Sequence, residues 1–354
     1  MTNWGSSIPD WDRPLDDALP ANLSRHAKPT VLKGLATDWP LVQAATKSDQ
    51  ALCNYLVQFD RGEPVKVMVG DPCIKGRFFY QGNSTEFNFQ RQRGRLSAVL
   101  ARLQTCRDEP SPPAIAVQSA PIPEVLPGLE QANSIQSLGA VVPRIWLGNR
   151  IRVAAHYDPQ ENIACVAAGR RRFTLFPPEQ LPNLYVGPLD VTPAGAAISM
   201  VDFANPDFER HPKFRLAMES AWVAELDPGD ALYIPPLWWH HVESLDAINV
   251  LVNYWWDRDP AKPHHISSPA DTLLHALLSL RDLPSEQRHA WKSFFDYYVF
   301  LQHDDPSAHL DEAQRGVLGP VTDVMSRQIH RRLLEKHKLA LQMPGRKSRP
   351  GKQT

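Results

Sequence analysis

A β-rich α+β fold is what this chain predicts: a double-stranded β-helix, the jelly-roll or cupin arrangement, with an α/β lead-in before it and helices after it. Three features predict it. Short apolar runs separated by Gly- and Asn-bearing turns crowd the stretch from about 141 to 258, the pattern of many short strands. A histidine-bearing segment stands within each half of that stretch, His156-Tyr157-Asp158 and Trp238-Trp239-His240-His241. Beyond residue 268 the apolar spacing becomes helical.

The lead-in covers residues 1–110. Pro29-Thr30-Val31-Leu32-Lys33-Gly34 reads as a short strand ending at a glycine, and Val65 to Val69 as a second. Leu96, Val99, Leu100 and Leu103 keep the i, i+3, i+4, i+7 spacing of one helix face. Pro110-Ser111-Pro112-Pro113 then breaks the chain and opens a strand at Ala114.

The core runs over 111–260. Ile145 to Leu147, Ile151 to Tyr157, Ile163 to Ala167 and Arg172 to Phe176 read as strands. A long excursion over about 182–215 follows. Ala221 to Leu226, Ala231 to Ile234, the His240 segment and Ile248 to Tyr254 complete the set, with Pro228-Gly229-Asp230 as a turn. Many short strands of this kind fit two sheets packed into a jelly roll. A helical region, 261–345, starts at Ser268-Pro269, a capping serine before a first-turn proline. Its stripes are Leu273, Leu274, Leu277 and Leu278, then Trp291, Phe294, Phe295 and Tyr298, with a third helix expected from about 311 to 342. Residues 346–354 form a basic tail expected to be disordered.

Composition narrows the function classes. The 354 residues carry a net charge of −1, so no global field points to nucleic acid or a membrane surface. Thirty-three prolines favour turns and edges over long helices. Cys53, Cys73, Cys106 and Cys165 are scattered without a CxxC pair, which fits reduced thiols. No basic n-region with an apolar h-region opens the chain, and no apolar run nears the roughly 18 residues of a membrane span. The expected location is cytoplasmic.

The chemistry sits in the two histidine segments. On an extended chain residues i and i+2 share a face, so His156 and Asp158 project together and Tyr157 faces away. Two imidazoles and a carboxylate with open positions are what a non-haem Fe(II) oxygenase uses. The pair alone is equally readable as a satisfied barrel histidine and a turn aspartate. The second segment offers a third ligand, but spacing does not choose between His240 and His241.

The runs His156 to Asn162, Gly169 to Pro178, Val201 to Asp207, Gly229 to Leu245 and Val252 to Trp255 resemble, in order, the cupin-like JmjC family. The motifs lie nearest its asparaginyl hydroxylase branch, which acts on hypoxia-inducible factor. The resemblance covers about 145–258 well and the flanks loosely. It implies that His240 is the third ligand, that the metal is Fe(II), and that 2-oxoglutarate is the co-substrate. Arg171 stands where the branch has a lysine for the distal carboxylate; an arginine offers a bidentate contact of different reach. Arg170 and Arg172 would then point away together.

Asn162 and Asn253 match polar barrel residues beside the co-substrate. Val153 and Ala116 replace a threonine and a tyrosine that contact it, which leaves Gln118 and Arg152 as candidate substitutes. The substrate-holding arginine and glutamine of the branch fall near Ala197 and Ile198, so an asparagine side chain would not be read the same way. Trp146, Trp238, Trp239 and Trp255 are either aromatic pocket or core. The family further implies a homodimer through the C-terminal helices, for which Leu273, Leu277, Phe294 and Tyr298 suit an isologous interface. The resulting expectation is a 2-oxoglutarate-dependent hydroxylase of a peptide, protein or small molecule. A metal-dependent cupin enzyme without 2-oxoglutarate and a non-catalytic cupin module are the alternatives.

Overall fold

The computed structural model describes residues 5–16, 18–82, 86–193, 195–257, 268–302 and 304–342. The lead-in supplies β1 (Ser6–Ser7), α1 (Leu19–His26), β2 (Thr30–Leu32), α2 (Pro40–Lys47), α3 (Asp49–Val57), β3 (Pro64–Gly70), β4 (Phe89–Arg95) and α4 (Leu96–Thr105). The core adds β5 (Ala114–Pro121), α5 (Ile122–Val125), β6 (Arg144–Gly148), β7 (Arg152–His156), β8 (Glu161–Ala168) and β9 (Arg171–Phe176). It continues with α6 (Phe214–Glu219), β10 (Trp222–Leu226), β11 (Ala231–Ile234), β12 (Trp239–Ser244) and β13 (Asn249–Trp256).

Two sheets result, largely antiparallel. One has the order β1-β10-β9-β12-β7 and the other β2-β11-β8-β13-β6-β5-β3-β4. Strands of the lead-in thus join the same sheet as the core, and the compact unit spans Met1–Ala261. Strand parity explains how the sheets pack. In β8, Ala164 and Val166 face the space between the sheets, while Ile163, Cys165 and Ala167 face the helices of the lead-in. In β13, Leu251 points inward and Val250, Val252 and Tyr254 point outward. Both faces being buried accounts for the near-continuous apolar runs of these strands. The far face of the smaller sheet is covered by the 182–215 excursion, with Phe176 and Trp239 packed under Phe203 and Phe214.

A second unit, Lys262–Thr354, is helical. Its α7 (Pro269–Leu280) starts with a complete capping box between Ser268 and Asp271, as the Ser-Pro start predicts. The aromatic stripe lies on α8 (Ser285–Tyr298). The third helix begins later than 311: α9 covers Asp323–Gln342, after short 3-10 turns at Glu312–Gln314 and Gly316–Leu318. Gly316, Gly319 and Pro320 explain the delay, because two glycines and a proline tax a helix start they would sit inside. The basic tail lies outside the described residues. Among those residues no helix is long and apolar enough to cross a membrane, and all four cysteines are free thiols.

Candidate metal centre and its cavity

Strand β7 stops at His156, one residue short of the expected end. Pro159, which has no N–H to offer a ladder, follows three residues on and keeps the pairing from resuming there. Asp158 therefore stands two residues beyond the strand, where its carbonyl accepts a 2.8 Å hydrogen bond from the Leu237 amide. His156 and Asp158 still share a side, and Tyr157 turns the other way to meet Trp239 edge-on.

The choice between adjacent histidines is made by pairing. His240 lies directly across from His156 in the β12–β7 ladder. Their rings are 4.2 Å apart, and ligand atoms of His156, Asp158 and His240 all lie within 4.8 Å of one another. His241 faces the opposite side of the sheet and stacks on Phe203 at 4.6 Å. Next to His240 the β12–β7 register shifts, so that Ala154 and Ala155 together oppose His241. This bulge puts Val153 and His156, three residues apart, on one face, and both line the same cavity.

Each candidate ligand is held by something else. The Nδ1 atoms of His156 and His240 lie 3.0 Å from the carbonyls of Ala154 and Trp238. A carbonyl accepts only, so Nδ1 carries the proton and Nε2 keeps its lone pair for a metal. Burial, with a smaller push from His156, lowers the His240 pKa to about 4 against the pull of Asp158. At neutral pH the ring is uncharged and fit to ligate.

Asp158 ends a directed chain of hydrogen bonds. Trp146 Nε1 donates to Asn253 Oδ1 at 2.7 Å, and Asn253 Nδ2 donates to Asn162 Oδ1 at 3.3 Å. Asn162 Nδ2 then donates to Asp158 Oδ2 at 3.2 Å, which also accepts from Trp255 Nε1 at 3.0 Å. Indole N–H groups can only donate, so the direction of the chain is fixed and it must finish on an acceptor. Asn162 and Asn253 do line the cavity. Their direct contacts are with each other, Trp146 and Asp158, and each keeps one N–H for a ligand.

The cavity itself lies between the sheets. Val153, Ala164, Phe173, Ile234, Val242 and Leu251 make its walls apolar. One cation faces into it. Arg171 is 4% exposed, its Nε lacks a hydrogen-bond partner, and no carboxylate among the described residues pairs with it. Burial lowers its pKa to about 10, which leaves it charged at neutral pH. Arg170 and Arg172 point outward as alternation predicts. Arg170 meets Asp246 at 3.2 Å and Glu225 at 3.3 Å; Arg172 meets Glu225 at 3.0 Å.

Other candidates are placed elsewhere. Gln118 is not in the Arg171 cavity; it lines an adjoining hollow with Met68, Val153 and His156. Arg152 pairs with Asp202 at 3.5 Å, outside the cavity. Ala116 is fully buried beside Met68 and Phe78. Trp146 and Trp255 line the cavity, whereas Trp238 and Trp239 pack in the core clusters. Sequence reasoning missed the tryptophan donor to Asp158, Trp255. The signal was available in alternation, since Asn253 and Trp255 must share a face.

Fold and site together define a cupin-type β-helix with a two-histidine, one-carboxylate cluster at one end of a cavity between the sheets. The profile of the cupin-like domain family matches residues 17–262, and the chain belongs to that family. It is 32% identical over 145 residues to lysine-specific demethylase JMJ31 of Arabidopsis thaliana, covering 40% of this chain and 25% of that protein. It is 28% identical over 186 residues to tRNA wybutosine-synthesizing protein 5 of Gallus gallus, covering 49% of this chain and 53% of that one. Jumonji C domain-containing protein 5 of Drosophila melanogaster is 27% identical over 263 residues, 71% of this chain and 60% of the relative. The chain thus spans between a quarter and three-fifths of these relatives.

Proposed function

We propose that this protein is an Fe(II)- and 2-oxoglutarate-dependent oxygenase, with His156, Asp158 and His240 as the iron ligands. One observation carries the reading: a converging ligand set and a buried, unpaired arginine face the same cavity. The donor set suits Fe(II), and the orphaned guanidinium suits a carboxylate. When bound, iron and 2-oxoglutarate would supply oxidation of an unactivated C–H bond by dioxygen, with release of succinate and carbon dioxide. His156 and His240 would present neutral Nε2 atoms, and Asp158 would be oriented by Asn162 and Trp255. Arg171 would hold the distal carboxylate through charge-assisted hydrogen bonds, and the apolar walls would keep water away.

The decisive experiment is an anaerobic Fe(II) titration with and without 2-oxoglutarate, read by the visible charge-transfer band, then by succinate release. Iron binding without the band would favour a metal-dependent cupin enzyme that uses no 2-oxoglutarate. Val153 lining the cavity and Ala116 lying outside it are the observations that favour this second reading. No iron binding would leave a non-catalytic module.

Hydroxylation is the outcome we assign. The relatives found support the cupin-like JmjC family and give no particular support to its asparaginyl hydroxylase branch. Ala197 and Ile198 are buried and offer no amide donors from their side chains, so asparagine is not carried over as the oxidised residue. The relatives bear names of a lysine demethylase and a tRNA-modifying protein, so their substrates do not converge. We also propose a homodimer through the helical unit, where Leu273, Phe294 and Tyr298 are about half exposed. A strict monomer by light scattering at micromolar concentration would remove it.

A further inference from the structure

A second concavity, about 560 Å³, lies over β3, β4 and β5 and reaches Trp146, which also lines the metal cavity. Through Gln118 and Pro193 it meets the hollow that ends at His156. Its volume alone is that of a small-molecule site; its course along the β3–β4 ladder, from Lys66 and Arg93 past Met68 and Arg91 to Gln118, is what suits a chain segment.

Its charge is one-sided. Lys66, Arg91 and Arg93 line it, no acidic residue does, and no ion pair engages any of the three among the described residues. Arg93 sits directly opposite Lys66 in the β3–β4 ladder, and Arg91 opposite Met68. Like charges placed opposite each other lower sheet stability, so folding by itself does not favour this pairing. In a chain of net charge −1, such a cluster is local and not a general basic surface.

The floor is shaped to meet a backbone. A register shift in β5 between Val117 and Ala120 inserts a residue at Gln118-Ser119, and Ser119 has φ of 50°. Arg144 braces it through two 2.6 Å hydrogen bonds to Ser119. The bulge aims Gln118 and Ser119, both able to donate and accept, into the groove next to Trp146.

We propose that this groove docks the protein substrate and selects a segment rich in aspartate and glutamate beside the residue to be oxidised. The assignment rests on the oxygenase reading. A single-stranded nucleic acid is the less suited occupant. Three cations would give a salt slope of only about −2. The one lining aromatic, Trp146, has its N–H on Asn253 and its ring edge-on to Trp255, so no stacking platform is free.

The test selects from a phage-displayed random dodecapeptide library on the full chain without iron, comparing wild type with Lys66→Gln/Arg93→Gln. The bound pool should be enriched in Asp and Glu. A fluorescein-labelled peptide from that pool should bind the variant about three- to tenfold more weakly, the size of two exposed ion pairs. A melting temperature at or above that of the wild type and an unchanged iron titration check that the variant is folded. A pool with the acid content of the input, or affinity unchanged by the double substitution, would overturn the proposal. So would displacement of the peptide by a twelve-nucleotide oligouridylate that binds more tightly. Peptide capture is read without iron and uncoupled succinate release without peptide, so failure of the groove and failure of the oxygenase reading are told apart.

Discussion

The two ends of the cavity between the sheets differ in how their polar groups are satisfied. At the metal end the ligand side chains are already engaged: both histidines on backbone carbonyls, Asp158 on Asn162 and Trp255. At the other end Arg171 is buried with an orphaned Nε. An unmade hydrogen bond at a buried charge costs free energy that folding does not return. On the proposed reading, one end is preorganised for an ion and the other would be completed by an anionic ligand.

Substitutions probe that contrast from both sides. Asp158→Ala or His240→Ala should abolish turnover and lower iron affinity by more than the ~10–100-fold typical of a supporting residue, as read by anaerobic titration. Arg171→Met should weaken 2-oxoglutarate binding by about 10–100-fold, the worth of one or two hydrogen bonds to a charged group. Its thermal stability in the absence of ligand should stay level or rise, because a buried unpaired charge is gone. A large loss of stability would mean that Arg171 serves the fold. Trp255→Phe, which removes one donor from Asp158 and keeps the ring, should cost about tenfold in iron affinity and leave the 2-oxoglutarate affinity of the iron-loaded protein nearly unchanged.

The smallest expected effect on iron is that of His241→Phe, whose side chain faces Phe203 on the far side of the sheet. It does have a pH signature. Burial holds the His241 pKa near 3, below its ordinary 6.5, so the unfolded chain binds the proton first. The metal-free protein should be most stable above about pH 6.5 and lose stability as pH falls from there toward 3. The variant should show a shallower loss in urea melts across that window.

Much of the barrel was legible because strand alternation is local. Val65 to Val69 and Ala231 to Ile234 fall within observed strands, as does all of Ile248 to Tyr254 but its first residue, and the outward turn of Arg170 and Arg172 follows from parity alone. The boundaries near Pro159 and Pro320 were less legible, since a proline's effect depends on where the neighbouring element needs its hydrogen bonds. Gln118 could not be placed at all from spacing. The bulge at Gln118-Ser119 depends on β6 pairing with β5, a long-range register that no single segment encodes.

Local chemistry along the chain was sufficient for the class of fold, for the ligand types and for the common side shared by His156 and Asp158. Three-dimensional pairing selected His240 over His241, since only His240 lies across the ladder from His156. It also left Arg171 alone in an apolar cavity and turned Asn162 and Asn253 toward Asp158. A residue's partners across a sheet are set by register, and register is a property of strands that meet from far apart in sequence.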